Sequence, residues 1–131
     1  MINKYKNKKV EFEGIKFDSK MEADFYKHLL KLFPKEQIII QPVFELQPKF
    51  VDNLGQNIRA ITYKADFQVM NIIYDVKGFK TIEFKIKEKM FKYTHKNLCL
   101  ALMTKAPKYT GKEWIELKEL EKIRKERKCK K

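Results

Sequence analysis

The stretch Ala65–Gly78, ADFQVMNIIYDVKG, decides both the fold and the function that this sequence predicts. It indicates two short strands, Lys64–Val69 and Ile72–Lys77. The strands are joined at Met70-Asn71, because Asn tolerates the backbone of a tight two-residue hairpin turn. The sequence therefore predicts an antiparallel hairpin at the centre of the fold.

In this predicted hairpin, Asp66 is expected to lie directly opposite Asp75. Opposed residues of an antiparallel pair point to the same face, and residues i and i+2 of one strand share a face. The pattern therefore predicts that Asp66, Asp75 and Lys77 emerge together. The opposite face is predicted to be apolar, with Ala65, Phe67, Val69, Ile72, Tyr74 and Val76.

Two opposed carboxylates destabilise a sheet by roughly 0.2–1 kcal/mol, so a cation is expected between them. Mg²⁺ suits the site because it is commonly held by one or two carboxylates with waters and substrate phosphate. Lys77 would then lie beside that phosphate or water. The simpler explanation is a solvated hairpin face with two acids and a lysine, since Asp is common at turns. The spacing alone does not separate the two.

Composition favours a globular nucleic-acid-binding protein. A chain of 131 residues, 44% hydrophobic, predicts a single domain with one core. Its 30 Lys and Arg against 17 Asp and Glu give a net charge of +13, and the usual polyanionic partner is nucleic acid. An anionic membrane surface or general solubility would explain the same charge. The predicted DNA-binding residues are Lys6, Lys8, Lys9, Arg59, Lys80, Lys85, Lys89, Arg124 and Lys125.

Several classes are excluded by what the sequence lacks. No apolar run approaches a membrane span, and no apolar segment follows the basic start, so a cytoplasmic protein is expected. Cys99 and Cys129 are the only cysteines, which offers neither a disulfide framework nor a cysteine zinc site. With two histidines in the chain, any metal site is expected to be built from carboxylates.

The first predicted helix runs from Ser19 to Pro34, after a basic arm over residues 1–9 and a short hairpin over Val10–Phe17. Ser19-x-x-Glu22 is a capping box, in which Glu22 reaches back to the helix start. Glu22 is equally a candidate third acid beside Asp66 and Asp75, and spacing leaves both roles open. The predicted apolar stripe is Met21, Phe25, Leu29 and Leu32.

The rest of the chain alternates strands and helices, which predicts an α/β fold with a mixed sheet. Pro42 makes its strand either an edge strand or a bent one. Thr81 is predicted to cap a basic helix whose apolar positions are Ile82, Ile86, Met90 and Tyr93. The remaining predicted elements are a long strand over Ile58–Val69, a central strand over Asn97–Met103, a short strand over Trp114–Leu117 and a basic helix over Lys118–Lys131.

An acid on an early helix, an Asp on a strand and Asp-x-Lys on its neighbour resemble the PD-(D/E)XK nuclease superfamily, at Glu22, Asp66, Asp75 and Lys77. More closely, four phrases resemble a family of small bacteriophage-encoded proteins placed with phage endonucleases and Holliday-junction-resolvase-like proteins. The phrases are GIKFDSKMEADFY, FELQPKF, RAITYKADF and YDVKGFKT, and the resemblance covers roughly residues 4 to 95. Ala65 stands where the superfamily often has Pro.

The resemblance implies a restriction-endonuclease-like core and a Mg²⁺-dependent DNA endonuclease, with Mn²⁺ as a substitute metal. It implies that Asp66, Asp75 and the backbone carbonyl of Val76 hold the metal, with Glu22 acting through water or a second metal. Lys77 would orient or deprotonate the attacking water, or neutralise charge on the phosphate. Products with a 5′-phosphate and a 3′-hydroxyl are expected.

Besides a basic phage assembly or interaction protein, for which the acids would be scattered over the fold, the sequence leaves three interpretations of function open. The first is a structure-selective endonuclease acting on branched DNA in phage recombination or DNA processing, which as a resolvase would be a homodimer. The second is a nicking nuclease without sequence preference. The third is a catalytically silent nucleic-acid-binding protein on the same scaffold, for which the acids would have no use.

Overall fold

A computed structural model describes residues 9–129 of the chain as a mixed α/β protein with three helices and a mixed sheet. The predicted arm residues Lys6 and Lys8 lie outside this range, whereas Lys9 is exposed. The chain divides into two compact units, Met1–Ile38 and Ile39–Lys131. The expectation of one domain for the whole chain stays a prediction. No helix between residues 9 and 129 has the length and apolarity that crossing a membrane requires.

The first unit contains a hairpin and a helix, as predicted. Strands β1 (Val10–Phe12) and β2 (Ile15–Phe17) pair antiparallel. The turn residues Glu13 and Gly14 have φ of 52° and 78°, the left-handed backbone that suits the twist of a two-residue hairpin.

Helix α1 (Lys20–Leu32) begins at Ser19, whose hydroxyl oxygen accepts a hydrogen bond from the Glu22 amide at 3.2 Å. The predicted N-cap is therefore confirmed, and the helix ends before Pro34 as expected. The predicted apolar stripe was wrong at Leu32, which is the last residue of the helix and is exposed. The buried residues of α1 are Ala23, Phe25, Tyr26 and Leu29.

The second unit contains the larger sheet. In chain order its elements are β3 (Ile38–Ile40), β4 (Val43–Gln47), β5 (Phe50–Val51), β6 (Asn57–Ile58), β7 (Ile61–Lys64), β8 (Phe67–Val69), β9 (Ile72–Val76), α2 (Ile82–Thr94), β10 (Cys99–Lys105), β11 (Trp114–Glu116) and α3 (Leu117–Cys129). Five strands form one sheet in the order β11-β10-β9-β8-β3. Strands β9 and β10 are parallel and joined through α2, while β8–β9 and β10–β11 are antiparallel. β10 is thus an interior strand, as its apolar sequence predicted.

Two predicted strands of this unit are each interrupted by a bend, and the two bends lie side by side. The predicted long strand over Ile58–Val69 was wrong: it divides into β6, β7 and β8, with a bend at Ala65-Asp66. The stretch through Gln41-Pro42 divides likewise into β3, at the sheet edge, and β4, which pairs with β7. The two bends are bonded to each other, from the Gln41 amide to the Asp66 carbonyl at 2.9 Å and from the Ala65 amide to the Pro42 carbonyl at 3.0 Å.

The predicted apolar stripe of α2 was wrong at three of its four positions, since Met90 alone of the four packs against the core. Thr81 caps the helix as expected, and its hydroxyl accepts a hydrogen bond from the Phe84 amide. Ile82, Ile86 and Tyr93 are exposed, whereas Phe84 and Phe91 are buried. The sequence carries apolar residues on both faces of this helix, and only packing reveals which one is covered. The buried cluster comprises Leu46, Tyr63, Ala65, Ile73, Phe84, Phe91, Leu102 and Leu117.

Truncating each face of α2 tests this assignment. Phe91 is 0% exposed and its ring centroid lies 5.1 Å from that of Phe44, so Phe91→Ala is expected to lower the free energy of unfolding by about 3–5 kcal/mol. Ile86 is 57% exposed, so Ile86→Ala is expected to change it by no more than about 0.5 kcal/mol. Urea unfolding followed by circular dichroism measures both. Similar losses in the two variants would contradict the assignment.

Candidate active site

Asp75 is the most deeply buried acid of the predicted site. It lies near the end of β9 with 4% of its surface exposed, on the same side of the strand as the buried Ile73. The Tyr63 hydroxyl, on β7, donates a hydrogen bond to its Oδ2. The Lys77 ammonium lies 3.7 Å from its Oδ1. A buried carboxylate needs such partners, because an unpaired charge in the interior is costly.

Asp66 reaches the end of β9 from the bend between β7 and β8. The hairpin register is as predicted, since Phe67 pairs with Tyr74, and the turn falls at Met70-Asn71. At the next position the ladder ends: the Asp66 carboxylate accepts a hydrogen bond from the Val76 amide at 2.7 Å. One carboxylate is therefore fixed to the backbone one residue beyond Asp75.

The bend at Ala65-Asp66 places one residue on a different face from the one predicted. Ala65 was predicted on the apolar face with Phe67, but it lies in the buried cluster with Ile73, on the Asp75 side of β9. The reason is that the chain leaves β7 for β8 at Ala65-Asp66, so the alternation of a continuous strand does not hold there.

Tyr63 links the acids electrostatically. Burial raises the pKa of its hydroxyl well above the ordinary value of 10.0, and the charge of Asp75 and the hydrogen bond to it raise the pKa further. The charges of Asp66 and Glu88 add to the rise. Three carboxylates thus act on one hydroxyl. The sequence placed Tyr63 on a strand without assigning it to the site.

Lys77 faces a basic cavity beside Asp75. Its ammonium lies 4.2 Å from the centroid of the Phe84 ring, a cation–π contact that fixes the side chain. The cavity, of about 270 Å³, is lined by Tyr63, Lys64, Lys77, Thr81, Glu83, Phe84 and Lys87. Lys64 and Lys87 add two cations that sequence reasoning did not place here, and Glu83 forms an ion pair with Lys87 at 3.3 Å. The cavity is thus suited to an anion.

The sequence analysis did not identify Glu88 as a site residue, because Glu88 lies on the face of α2 that was predicted to be exposed. The spacing Phe84, Glu88, Phe91 is the helical signal that could have found it. Its carboxylate is mostly buried and lies 3.1 Å from the Lys80 ammonium and 3.6 Å from that of Lys92. Lys80, predicted to bind DNA, is therefore engaged with an acid.

Glu22 remains on the first turn of α1, in the first unit, where its amide completes the cap. Its proposed part in the metal site stays a prediction. Of the other residues predicted to bind DNA, Arg59, Lys85, Lys89, Arg124 and Lys125 are exposed. Arg124 lines a cavity of about 290 Å³ with Tyr109, Arg127 and Lys128.

The donors at the end of β9 are of the kind that Mg²⁺ prefers. Asp66 and Asp75 supply carboxylate oxygens, and the Val76 carbonyl is a further oxygen donor on the same strand end. Among residues 9–129, no three His, Cys, Asp or Glu side chains form a group that could hold a metal ion. Two carboxylates and a carbonyl are still a sufficient set, because many Mg²⁺ sites take only one or two carboxylates from the protein and complete the coordination with waters and substrate phosphate.

The fold and site together define a small mixed α/β protein with acids and lysines gathered at the end of an interior strand. The chain belongs to the family described as "Protein of unknown function (DUF1064)", which matches residues 2–111. That span includes Glu22, Asp66, Asp75 and Lys77. No curated protein and no solved structure matches the chain.

Removing the Tyr63 hydroxyl tests its bond to Asp75. At pH 8, Tyr63→Phe is expected to lower the free energy of unfolding by about 1–3 kcal/mol, because the buried carboxylate loses a donor. The exposed Tyr93 provides the matched control, and Tyr93→Phe is expected to have no effect.

The same pair predicts a pH dependence. Above about pH 10 the Tyr63 hydroxyl ionises in the unfolded chain but keeps its proton in the folded protein, where it is buried. The unfolded state then binds fewer protons than the folded state. The free energy of unfolding therefore falls as the pH rises, by up to about 1.4 kcal/mol per pH unit. Tyr63→Phe lacks this loss, so its deficit relative to the wild type is expected to shrink from pH 10 to 11.5. A constant deficit in urea titrations would contradict the account.

Proposed function

We propose that the protein is a Mg²⁺-dependent DNA endonuclease with a PD-(D/E)XK-like core. The observation that carries the proposal is the hydrogen bond from the Val76 amide to the Asp66 carboxylate, at the strand end where Asp75 and Lys77 also lie. The nuclease superfamily that the sequence resembles uses two acids on adjacent segments and a lysine two residues after the second acid, and Asp66, Asp75 and Lys77 match this set. The resemblance in the sequence supports the same assignment.

The acidic side of the site would hold the metal. Asp66, Asp75 and the Val76 carbonyl are the proposed donors, and Mn²⁺ would substitute for Mg²⁺. When bound, the ion would supply an activated water and stabilise charge on the phosphate and the leaving oxygen. Tyr63 keeps the Asp75 carboxylate oriented through its hydroxyl.

The basic side would hold the scissile phosphate. Lys77 lies between the Asp75 carboxylate and the cavity of about 270 Å³, so its ammonium can reach an anion in that cavity. Lys64 and Lys87 line the same cavity and would share the phosphate charge. Lys77 is therefore proposed to neutralise the phosphate or orient the attacking water.

DNA is the substrate that the charge of the chain supports best. The net charge of +13 favours a polyanion, and exposed Lys85, Lys89, Arg124 and Lys125 extend basic surface along two helices. Branched DNA is the proposed preference, in recombination or DNA processing in the bacterial cytoplasm. A homodimer is proposed for the case that the enzyme resolves symmetric junctions.

One observation favours a catalytically silent DNA-binding protein as the second candidate. Both oxygens of Asp75 already have partners, Tyr63 on Oδ2 and Lys77 on Oδ1. A carboxylate so engaged could serve only to hold the two strands and the lysine together. Binding without cleavage would identify this candidate.

Cleavage assays with isosteric variants separate the candidates. Labelled four-way junction, flap, duplex and single-stranded DNA are incubated with Mg²⁺, Mn²⁺ or EDTA. The wild type is expected to cut with either metal and not with EDTA. Asp66→Asn, Asp75→Asn and Lys77→Met are expected to lower the cleavage rate by roughly a hundredfold or more, because each Asn variant loses a metal-binding carboxylate and Lys77→Met loses the cation proposed to act on the phosphate.

The exposed residues Asp18 and Lys108 supply matched controls, and Asp18→Asn and Lys108→Met are expected to cut at the wild-type rate. Glu22→Gln keeps a side chain able to cap the helix but removes its charge, so lost cleavage with unchanged stability would assign Glu22 to the metal site. Cleavage that survives Asp75→Asn and Lys77→Met would refute the site. A wild type that binds but never cuts would refute the enzyme.

A further inference from the structure

We propose that the β5–β6 hairpin carries a binding site for an unpaired DNA base and its flanking phosphates. The inference deepens the proposed function, since it rests on DNA as the ligand and names unpaired strands as the feature recognised. It depends on residues 49–59, which are separate in sequence from Asp66, Asp75 and Lys77.

The hairpin is a short, well-defined ribbon. Phe50 pairs with Ile58 and Val51 with Asn57. The Asp52 carboxylate closes the turn by accepting hydrogen bonds from the Leu54 and Gln56 amides, both at 2.9 Å. The backbone of the hairpin turn is therefore held in a fixed conformation.

Apolar side chains on this ribbon are exposed to an unusual degree. Phe50 is 48% exposed and Leu54, at the tip, is 77% exposed. Exposed apolar side chains rimmed by polar residues are typical of interaction sites. Beside it lies a cavity of about 450 Å³, within the roughly 300–1,000 Å³ of ligand clefts. The cavity is lined by Lys49, Phe50, Val51, Asn57, Ile58 and Arg59.

The charges around this cavity favour an anion. Lys49 and Arg59 flank the Phe50–Ile58 pair in sequence, and both line the cavity together with Phe50. Within residues 9–129 neither cation forms an ion pair with a carboxylate, and no carboxylate lines the cavity. A phosphate at the cavity would compensate both charges.

An unpaired nucleotide satisfies both features at once. Proteins that bind single strands combine aromatic rings, on which bases stack, with cations that hold the backbone. Phe50 provides the ring, Lys49 and Arg59 provide the cations, and the Asn57 amide can bond a base edge. Bases within a continuous duplex are stacked and do not offer their faces. A second copy of this chain fits poorly, because it would bring four cations together.

Fluorescence anisotropy in EDTA tests the site without any contribution from cleavage. Labelled single-stranded DNA and flap DNA are expected to bind more tightly than continuous duplex. Phe50→Ala is expected to weaken single-strand binding roughly tenfold or more and duplex binding little, while Phe50→Trp restores it. Lys49→Ala and Arg59→Ala are each expected to lower the salt slope of single-strand binding by about 0.7. Leu32→Ala, an exposed apolar position on α1, serves as the control.

Photo-crosslinking of the wild type to a single strand containing 5-iododeoxyuridine gives a second measurement that needs no variant. The crosslink is expected within residues 49–59. Equal weakening of duplex and single strand by Phe50→Ala, crosslinks elsewhere in the chain, or a dimer that Phe50→Ala dissociates would overturn the inference. If the protein prefers unpaired strands but never cuts DNA, the base-binding site is supported and the proposed nuclease function is refuted.

Discussion

The hydrogen bond between the Asp66 carboxylate and the Val76 amide is the constraint on which the site depends. It lies just beyond the Phe67–Tyr74 pair, where β8 begins and the chain bends at Ala65-Asp66. That bend is held in turn by two backbone bonds to Gln41 and Pro42 on the adjacent segment. The placement of one acid is thus fixed by a break in the strands rather than by the strands themselves.

The surroundings of Asp75 show how a charge can be kept inside a small protein. Tyr63 and Lys77 stabilise its carboxylate, and the Phe84 ring in turn fixes the Lys77 ammonium. Because Tyr63 belongs to the buried cluster, the packing of that cluster sets the orientation of the acid. Core and candidate site are therefore one network, in which losing an apolar contact would also move a charged group.

Local sequence signals predicted the parts of the fold that depend on neighbours along the chain. The Met70-Asn71 register, the Ser19 and Thr81 caps and the strand break near Pro42 all follow from adjacent residues. The covered face of α2 could not be predicted in this way, because apolar residues occupy both faces and tertiary packing selects one. Its misassignment concealed Glu88, just as a continuous strand concealed the bend at Asp66.

The central claim is that Asp66 and Asp75 converge on one divalent cation. Anomalous diffraction from a crystal of the wild-type protein soaked in Mn²⁺ tests it most directly. The account predicts one Mn²⁺ peak bound by both carboxylates and the Val76 carbonyl, at the roughly 2.0–2.2 Å typical of such oxygen ligands, and no peak in Asp75→Asn. A wild-type crystal with Mn²⁺ elsewhere, or with Lys77 still paired to Asp75 and no ion beside it, would contradict the claim.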